Sequence, residues 1–265
     1  MSSVFPYFCD YNNPLLAELY DQSITDTADI DLIRRLIGKS RPLQILECFS
    51  GTGRILIPLA KDGHRVTDIE LAHAMHERAV SKIHELNPEL RLRILLKVKD
   101  VLKGSWGNDY DVIIMGANAL YELPSAKSQE KRIKVASKAL VSGGNLFIDN
   151  DDRKDSLTKD MIGETWIAFK GRCNDGTYGE LSARIINVDI EKQIQCIERQ
   201  WYTISPDGIV HLTKYTAQKH PFSLVEIEAW LYKYNFEILC ALGDRQGTPF
   251  TKDSERAIFW ARKTT

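Results

Sequence analysis

In Glu47-Cys48-Phe49-Ser50-Gly51-Thr52-Gly53-Arg54 an acid is followed at once by a turn carrying two glycines. Glycine allows a backbone to approach a ligand closely, and the apolar residues that follow, Ile55, Leu56, Ile57, Leu59 and Ala60, read as a helix offering its first N–H groups to polar atoms. A phosphate-binding P-loop is excluded because no Gly-Lys-Ser/Thr follows. The dinucleotide pattern G-x-G-x-x-G is broken because Leu56 stands at its third glycine. A second acid closes Val66-Thr67-Asp68-Ile69-Glu70-Leu71-Ala72. A carboxylate placed there can accept hydrogen bonds from both hydroxyls of a ribose, or it can cap a helix starting near Ala72. Asp100, in Lys99-Asp100-Val101, reads as a ligand contact or as a solvated loop acid. Tyr121, Glu122, Asn150, Asp151 and Arg153 follow later apolar runs and are candidate contacts to a second reactant.

These residues need strands that end where they begin. Short β-rich runs alternate with helical patterns, which is the signature of a parallel sheet with crossover helices. Strands are expected over Leu43–Phe49, His64–Ile69, Leu92–Val98, Tyr110–Met115 and Asn145–Asp149, the last entered through Gly143-Gly144. Helices are expected from about Ala72 to Leu86 and over Gln129–Leu140, where Ile133, Ala136 and Leu140 share a face. Ligands bind outside the carboxyl ends of such strands, so Gly116-Ala117-Asn118-Ala119-Leu120-Tyr121-Glu122-Leu123 should border the site. From Trp166 to Ala217 the helical rhythm stops. Two runs, Ile185–Ile190 and Gln193–Tyr202, meet at Glu191-Lys192 like the arms of a hairpin. Ser223 with Glu226 forms a capping box for a further helix. Phe236–Leu242 and Ala257–Arg262 then close the chain as an antiparallel pair.

The phrase Ile45 to Arg54 resembles the first motif of the class I S-adenosylmethionine-dependent methyltransferases, and the resemblance covers roughly residues 10 to 150, resuming near Ser223. Phe49 stands where the family usually has its first glycine, and Asp68 takes the glycine position of its Gly-x-Asp-x-Ser pattern. The segments around Asn118 and Leu140–Asp149 are similar to small-molecule N-methyltransferases of the glycine and amino-sugar type. The resemblance implies an α/β fold with a doubly wound, mostly parallel, seven-stranded Rossmann-like sheet, an antiparallel last strand and a β-rich insertion after strand 5. It implies S-adenosyl-L-methionine as cofactor, held by Tyr20, Glu47, Ser50, Gly51, Thr52, Gly53, Arg54, Glu70, Leu71, Met75, Asp100, Val101 and Asn118. Tyr121, Glu122 and Asp151 are the expected catalytic residues. Tyr7, Tyr11, Arg153, Trp166 and Arg172 are expected at a small-molecule acceptor. In-line methyl transfer needs positioning more than acid–base help, and N-methylation is the leading reaction, with O- or C-methylation as alternatives. A non-catalytic cofactor-binding protein and an NAD-linked oxidoreductase are readings of other classes.

Composition agrees with a protein able to bury a sizeable core: 265 residues, 43% hydrophobic, 27% charged, with a net charge of −1 from 35 basic and 36 acidic side chains. That balance supplies no field for nucleic acid. The five cysteines are scattered and never paired as C-x-x-C, so neither a disulfide framework nor a metal site is expected. The first ten residues lack a signal-peptide pattern and no run is long enough to span a bilayer, so a cytoplasmic protein is expected. The domain expectation is a helical lid over 1–40, a cofactor-binding core over 41–165, a β-rich insertion over 166–217 that covers the acceptor or forms a homodimer surface, and a return to the core sheet over 218–265.

Overall fold

The computed structural model describes residues 11–38, 41–123, 125–152 and 157–264. Two helices, α1 (Pro14–Ser23) and α2 (Ala28–Ile37), precede an alternating series: β1 (Gln44–Cys48), α3 (Leu56–Lys61), β2 (Arg65–Ile69), α4 (His73–His84), α5 (Pro88–Arg91), β3 (Ile94–Leu95), β4 (Tyr110–Met115), α6 (Ala126–Ala139) and β5 (Leu140–Asp151). Four strands follow, β6 (Thr165–Arg172), β7 (Tyr178–Asp189), β8 (Ile194–Ile204) and β9 (Val210–Lys219). The chain then returns through α7 (Leu224–Lys233) to β10 (Phe236–Leu242) and β11 (Arg256–Lys263).

The main sheet has seven strands in the order β10-β11-β5-β4-β1-β2-β3. β1 to β5 pair in parallel, while β11 lies antiparallel to both β5 and β10. β1 and β4 are central strands covered on both faces, which explains their near-continuous apolar runs rather than an alternation. One core layer joins Leu46, Ile113, Leu146 and Phe259 to α6 and α7. The other joins Ile45, Ile114, Phe147 and Ile258 to α2 and α3. The expected capping box is present: Ser223 Oγ accepts from Glu226 N, and Glu226 Oε2 accepts from Ser223 N at 2.7 Å.

The third strand is shorter than the apolar run Leu92–Val98 suggests. Only Ile94 and Leu95 pair with β2, and Val98 touches the sheet through an isolated bridge to Glu70. Leu92, between α5 and β3, stands 87% exposed. α6 begins three residues earlier than the apolar spacing indicates, because Ser125 caps it by accepting from Ser128 N. β5 then begins at Leu140 without a break, so Gly143 and Gly144 lie inside the strand.

The insertion is one antiparallel sheet, β6-β7-β8-β9, running slightly beyond the 166–217 span at both ends. Leu16 and Leu19 of α1 pack against Phe169, Leu181 and Trp201 of this sheet and against Met75 of α4. Helix α1 thus wedges between the insertion and the glycine turn.

Candidate active site

The carboxyl ends of β1, β2 and β4 open onto a cavity of about 320 Å³. Backbone geometry at its floor is unusual. Phe49, in the position where a glycine was expected, holds φ +63°, followed by Gly51 at +56° and Gly53 at +80°. The backbone keeps a glycine-like path although a bulky side chain occupies it, at a strain on the order of 1 kcal/mol or more. Packing of Phe49 against the core offsets that strain. Across the floor, Ala117 (φ +54°) and Asn118 (φ +62°) form a second left-handed stretch where β4 ends. Asn118 is clamped there: its Nδ2 donates to Asp151 Oδ2 at 2.6 Å, its Oδ1 accepts from Asp151 N, and its own N donates to Asp149 O at 2.9 Å.

Glu70 sits at the cavity rim. Its Oε2 accepts from Gly51 N at 2.8 Å and its Oε1 from Ala72 N at 2.7 Å. One carboxylate therefore ties the glycine turn to the start of α4, with further lone pairs available to a ligand. Burial raises the Glu70 pKa, partly opposed by those amides. Burial pushes Glu47 well above the carboxylate range despite nearby Arg54, and its Oε2 has no partner among the described residues. Asp68, which accepts from Ser50 Oγ and Lys97 N, is pushed up to about 6, again by burial.

The opposite wall is built from charge pairs. Glu122 Oε1 meets Lys219 Nζ at 3.0 Å and Arg199 Nη2 at 3.4 Å. Burial pushes Glu122 up, yet the two cations outweigh it and hold the carboxyl below its ordinary value. Asp149, fully buried at the end of β5, takes Arg245 at 3.0 Å and Arg256 at 2.6 Å. Back beside the glycine turn, Arg54 forms a two-pronged pair with buried Asp29, which lowers the Asp29 pKa against its desolvation.

Of the residues expected from sequence, Tyr11, Tyr20, Gly51, Arg54, Glu70, Met75, Asn118 and Glu122 meet in this one cavity. Glu47 and Ser50 line a small adjoining space of about 20 Å³. Thr52 lies behind the turn, its hydroxyl on Asp21 Oδ1, a carboxylate that also binds Arg78 and Lys82. Gly53, Leu71, Asp100 and Val101 are outside the lining. A Cβ at Gly53 would meet Ile57, Ala79 and Leu56 side chains, whereas one at Gly51 would meet nothing within 4 Å. Tyr121 is buried, with its hydroxyl on the Asp151 carbonyl at 2.5 Å, and Asp151 itself pairs with Arg256 on the exposed side. Trp166 is 41% exposed on β6, and Arg172 donates to Gly176 O; both lie away from the cavity. Tyr7 and Arg153 fall outside the described residues. Among the described residues there is no cluster able to hold a metal, the four described cysteines are free, and no helix is long and apolar enough to cross a membrane.

Solved structures share this architecture. The CcbJ methyltransferase of Streptomyces caelestis matches with a TM-score of 0.73 at 18% identity, covering 94% of this chain and 96% of that one. An S-adenosylmethionine-dependent methyltransferase of Clostridium acetobutylicum ATCC 824 matches at 0.75 and 15%, covering 95% and 98%. The sugar N-methyltransferase KedS8 of Streptoalloteichus sp ATCC 53650 matches at 0.72 and 18%, covering 93% and 91%. The fold is that of the Rossmann-like methyltransferases. No family model matches the chain, and no curated protein matches it significantly in sequence.

Within this fold, sequence reasoning missed Lys219, Arg245 and Arg256, all of which line the cavity. Arg256 had a usable signal. It directly precedes Ala257–Arg262, the strand expected to run antiparallel, and so lies at the carboxyl ends of the parallel strands. Lys219 and Arg245 offered none, since they are placed by the end of β9 and by the turn after β10.

Proposed function

We propose that this chain is an S-adenosylmethionine-dependent methyltransferase that methylates an amine nitrogen of a small molecule. The observation that carries the reading is Glu70, whose two carboxylate oxygens are fixed by Gly51 N and Ala72 N at the rim of a cavity also lined by Tyr20 and Met75. That carboxylate suits ribose hydroxyls, which donate to whichever lone pairs the amides leave. The unpartnered Oε2 of Glu47 suits a cationic or N–H group beside the glycine turn. Open space above Gly51 is where a ligand can approach the backbone without meeting a side chain. When bound, the cofactor supplies a methyl group made electrophilic by its sulfonium.

The chain's own residues then hold the acceptor and exclude water. Tyr11, Phe49 and Phe169 provide apolar walls, and the paired charges of Glu122, Lys219 and Arg256 provide fixed dipoles opposite them. Among the described residues, no histidine lines the cavity, and Glu122 is held ionised by two cations. A phenol or carbon nucleophile would need a base with a pKa near neutrality, whereas an amine needs only to arrive unprotonated and aligned. This favours nitrogen over oxygen or carbon. Among the structural neighbours, KedS8 is described as a sugar N-methyltransferase and CalS10 as an amino pentose methyltransferase, in keeping with the same reaction class.

Calorimetric titration with S-adenosylmethionine, S-adenosylhomocysteine and NAD tests the reading. Micromolar binding of the first two and none of NAD is expected; binding of NAD alone would replace it with the oxidoreductase reading.

A further inference from the structure

At the acceptor wall, two cations pair with the same oxygen of one carboxylate. Lys219 Nζ and Arg199 Nη2 both converge on Oε1 of Glu122. Oε2 takes no hydrogen bond from a described residue, and Glu122 lines the cavity. The arrangement is rigid. Glu122 closes a short 3₁₀ turn after β4, and the neighbouring Tyr121 carbonyl accepts from His220 N at 2.9 Å. Gln129 Nε2 bridges the Leu120 and His220 carbonyls at 2.8 and 2.6 Å, so the end of β9 and the turn carrying Glu122 are stitched together. The two cations come from adjacent strands, Arg199 on β8 and Lys219 on β9.

We propose that Oε2 of Glu122 is the anchor for the acceptor's amine, accepting a hydrogen bond from its N–H, with Lys219 and Arg199 as positioning residues that aim the carboxylate. The proposal rests on the N-methyltransferase reading above and adds the residue that selects its acceptor, a primary or secondary amine in preference to an alcohol of the same shape. A carboxylate has two oxygens and about four acceptor sites. Two cations on one oxygen fix the plane and leave the other oxygen as a directed acceptor. An ionised acceptor bonds the ammonium form more strongly than a neutral alcohol hydroxyl, and the unprotonated fraction, which is the reactive form, still donates an N–H to Oε2 while its lone pair stays free for the methyl group. Such an anchor also limits the base strength of Glu122, so its contribution is to orient the nitrogen rather than to remove its proton.

The test uses full-length protein saturated with S-adenosylhomocysteine and titrated calorimetrically at neutral pH with cyclohexylamine and, separately, cyclohexanol. Wild type should bind the amine about tenfold more tightly than the alcohol, and Glu122→Gln should lose about that factor for the amine while leaving the alcohol unchanged. Lys219→Met removes one of the two cations that aim the carboxylate and should weaken the amine about threefold, an effect absent when combined with Glu122→Gln. This second variant decides the matter even if Glu122→Gln folds poorly. Equal binding of amine and alcohol to wild type overturns the anchor, and so does an amine affinity that Lys219→Met leaves unmoved. If S-adenosylhomocysteine does not bind wild type, the cofactor reading falls with it. If S-adenosylhomocysteine binds and the amine preference is missing, only the anchor falls.

Discussion

The two walls of the cavity handle buried acids in opposite ways. On the glycine-turn side, Glu47, Asp68 and Glu70 are buried with backbone amides and a hydroxyl as their main partners, and burial raises all three pKa values. On the far side, Glu122 is buried against Lys219 and Arg199, and its value is lowered; beside the glycine turn, only Asp29, which Arg54 grips directly, is lowered in the same way. Burial opposes ionisation on both sides; the difference is whether a cation hydrogen-bonds the carboxylate directly. The first wall can therefore receive a cation or a hydroxyl donor from outside, while the second carries its own counter-charges and presents a fixed field. This division fits a binding wall for a charged cofactor and an aligning wall for its partner.

The largest expected effect separates these two roles. Glu70→Ala removes the acceptor for Gly51 N and Ala72 N and the proposed ribose contact, and should weaken S-adenosylhomocysteine binding about a hundredfold or more, measured by calorimetry. A change on the far wall should spare that affinity. If Glu70→Ala binds normally, the ribose is held elsewhere and the glycine-turn side is only structural.

Legibility from sequence follows the same division. The first wall is local: Glu47, Gly51 and Gly53 lie within one turn, and Glu70 ends the adjacent strand, so composition and spacing reveal them. The far wall is assembled by pairs such as Arg199 with Glu122 and Arg256 with Asp149, separated by long stretches of chain. No periodicity reports such a meeting. The insertion was legible as β-rich and as a hairpin, but not which of its side chains face inward: Phe169 does, whereas Trp166, three residues earlier on the same strand, is exposed. A bulge between Ile167 and Phe169 breaks the simple alternation there. The Phe49 backbone was likewise illegible, because its left-handed conformation contradicts the residue type and is imposed by the surrounding turn.

A smaller effect probes the far wall's self-sufficiency. Arg245→Met strips one of two guanidinium partners from fully buried Asp149 and also loses the contact to Asp26 at 3.5 Å. Losing both partners of a buried charge costs about 3–5 kcal/mol, so losing one while Arg256 remains should cost about 2 kcal/mol. That corresponds to a fall in Tm of roughly 4–8 °C for a chain of this size. A Tm within a degree of wild type would mean that Arg256 alone satisfies Asp149, and that Arg245 is kept for the ligand.

The smallest effect tests the sign of the comparison directly, through pH. Asp68 is pushed up to about 6 in the folded chain, above the ordinary aspartate value near 3.9 that it regains on unfolding. The folded state then holds the proton more tightly, so this group's contribution to stability is greatest below about pH 4, falls as pH rises toward 6, and is flat above. Two pK units correspond to about 3 kcal/mol at most, but the ionised carboxylate also gains charge-assisted bonds from Ser50 Oγ and Lys97 N that an amide makes more weakly. Asp68→Asn should therefore gain only about 1 kcal/mol at pH 7.5, a Tm higher by roughly 2–4 °C, and fall below wild type by a similar amount near pH 4.5. Glu122→Gln should show the reverse slope. A lowered carboxyl stabilises above its ordinary pKa and loses that contribution in acid, so the variant's deficit should shrink as pH falls. Thermal melts of both variants across this range measure the two slopes. Parallel slopes would show that a shared property of the fold, and not the presence or absence of a neighbouring cation, sets the charge of the two walls.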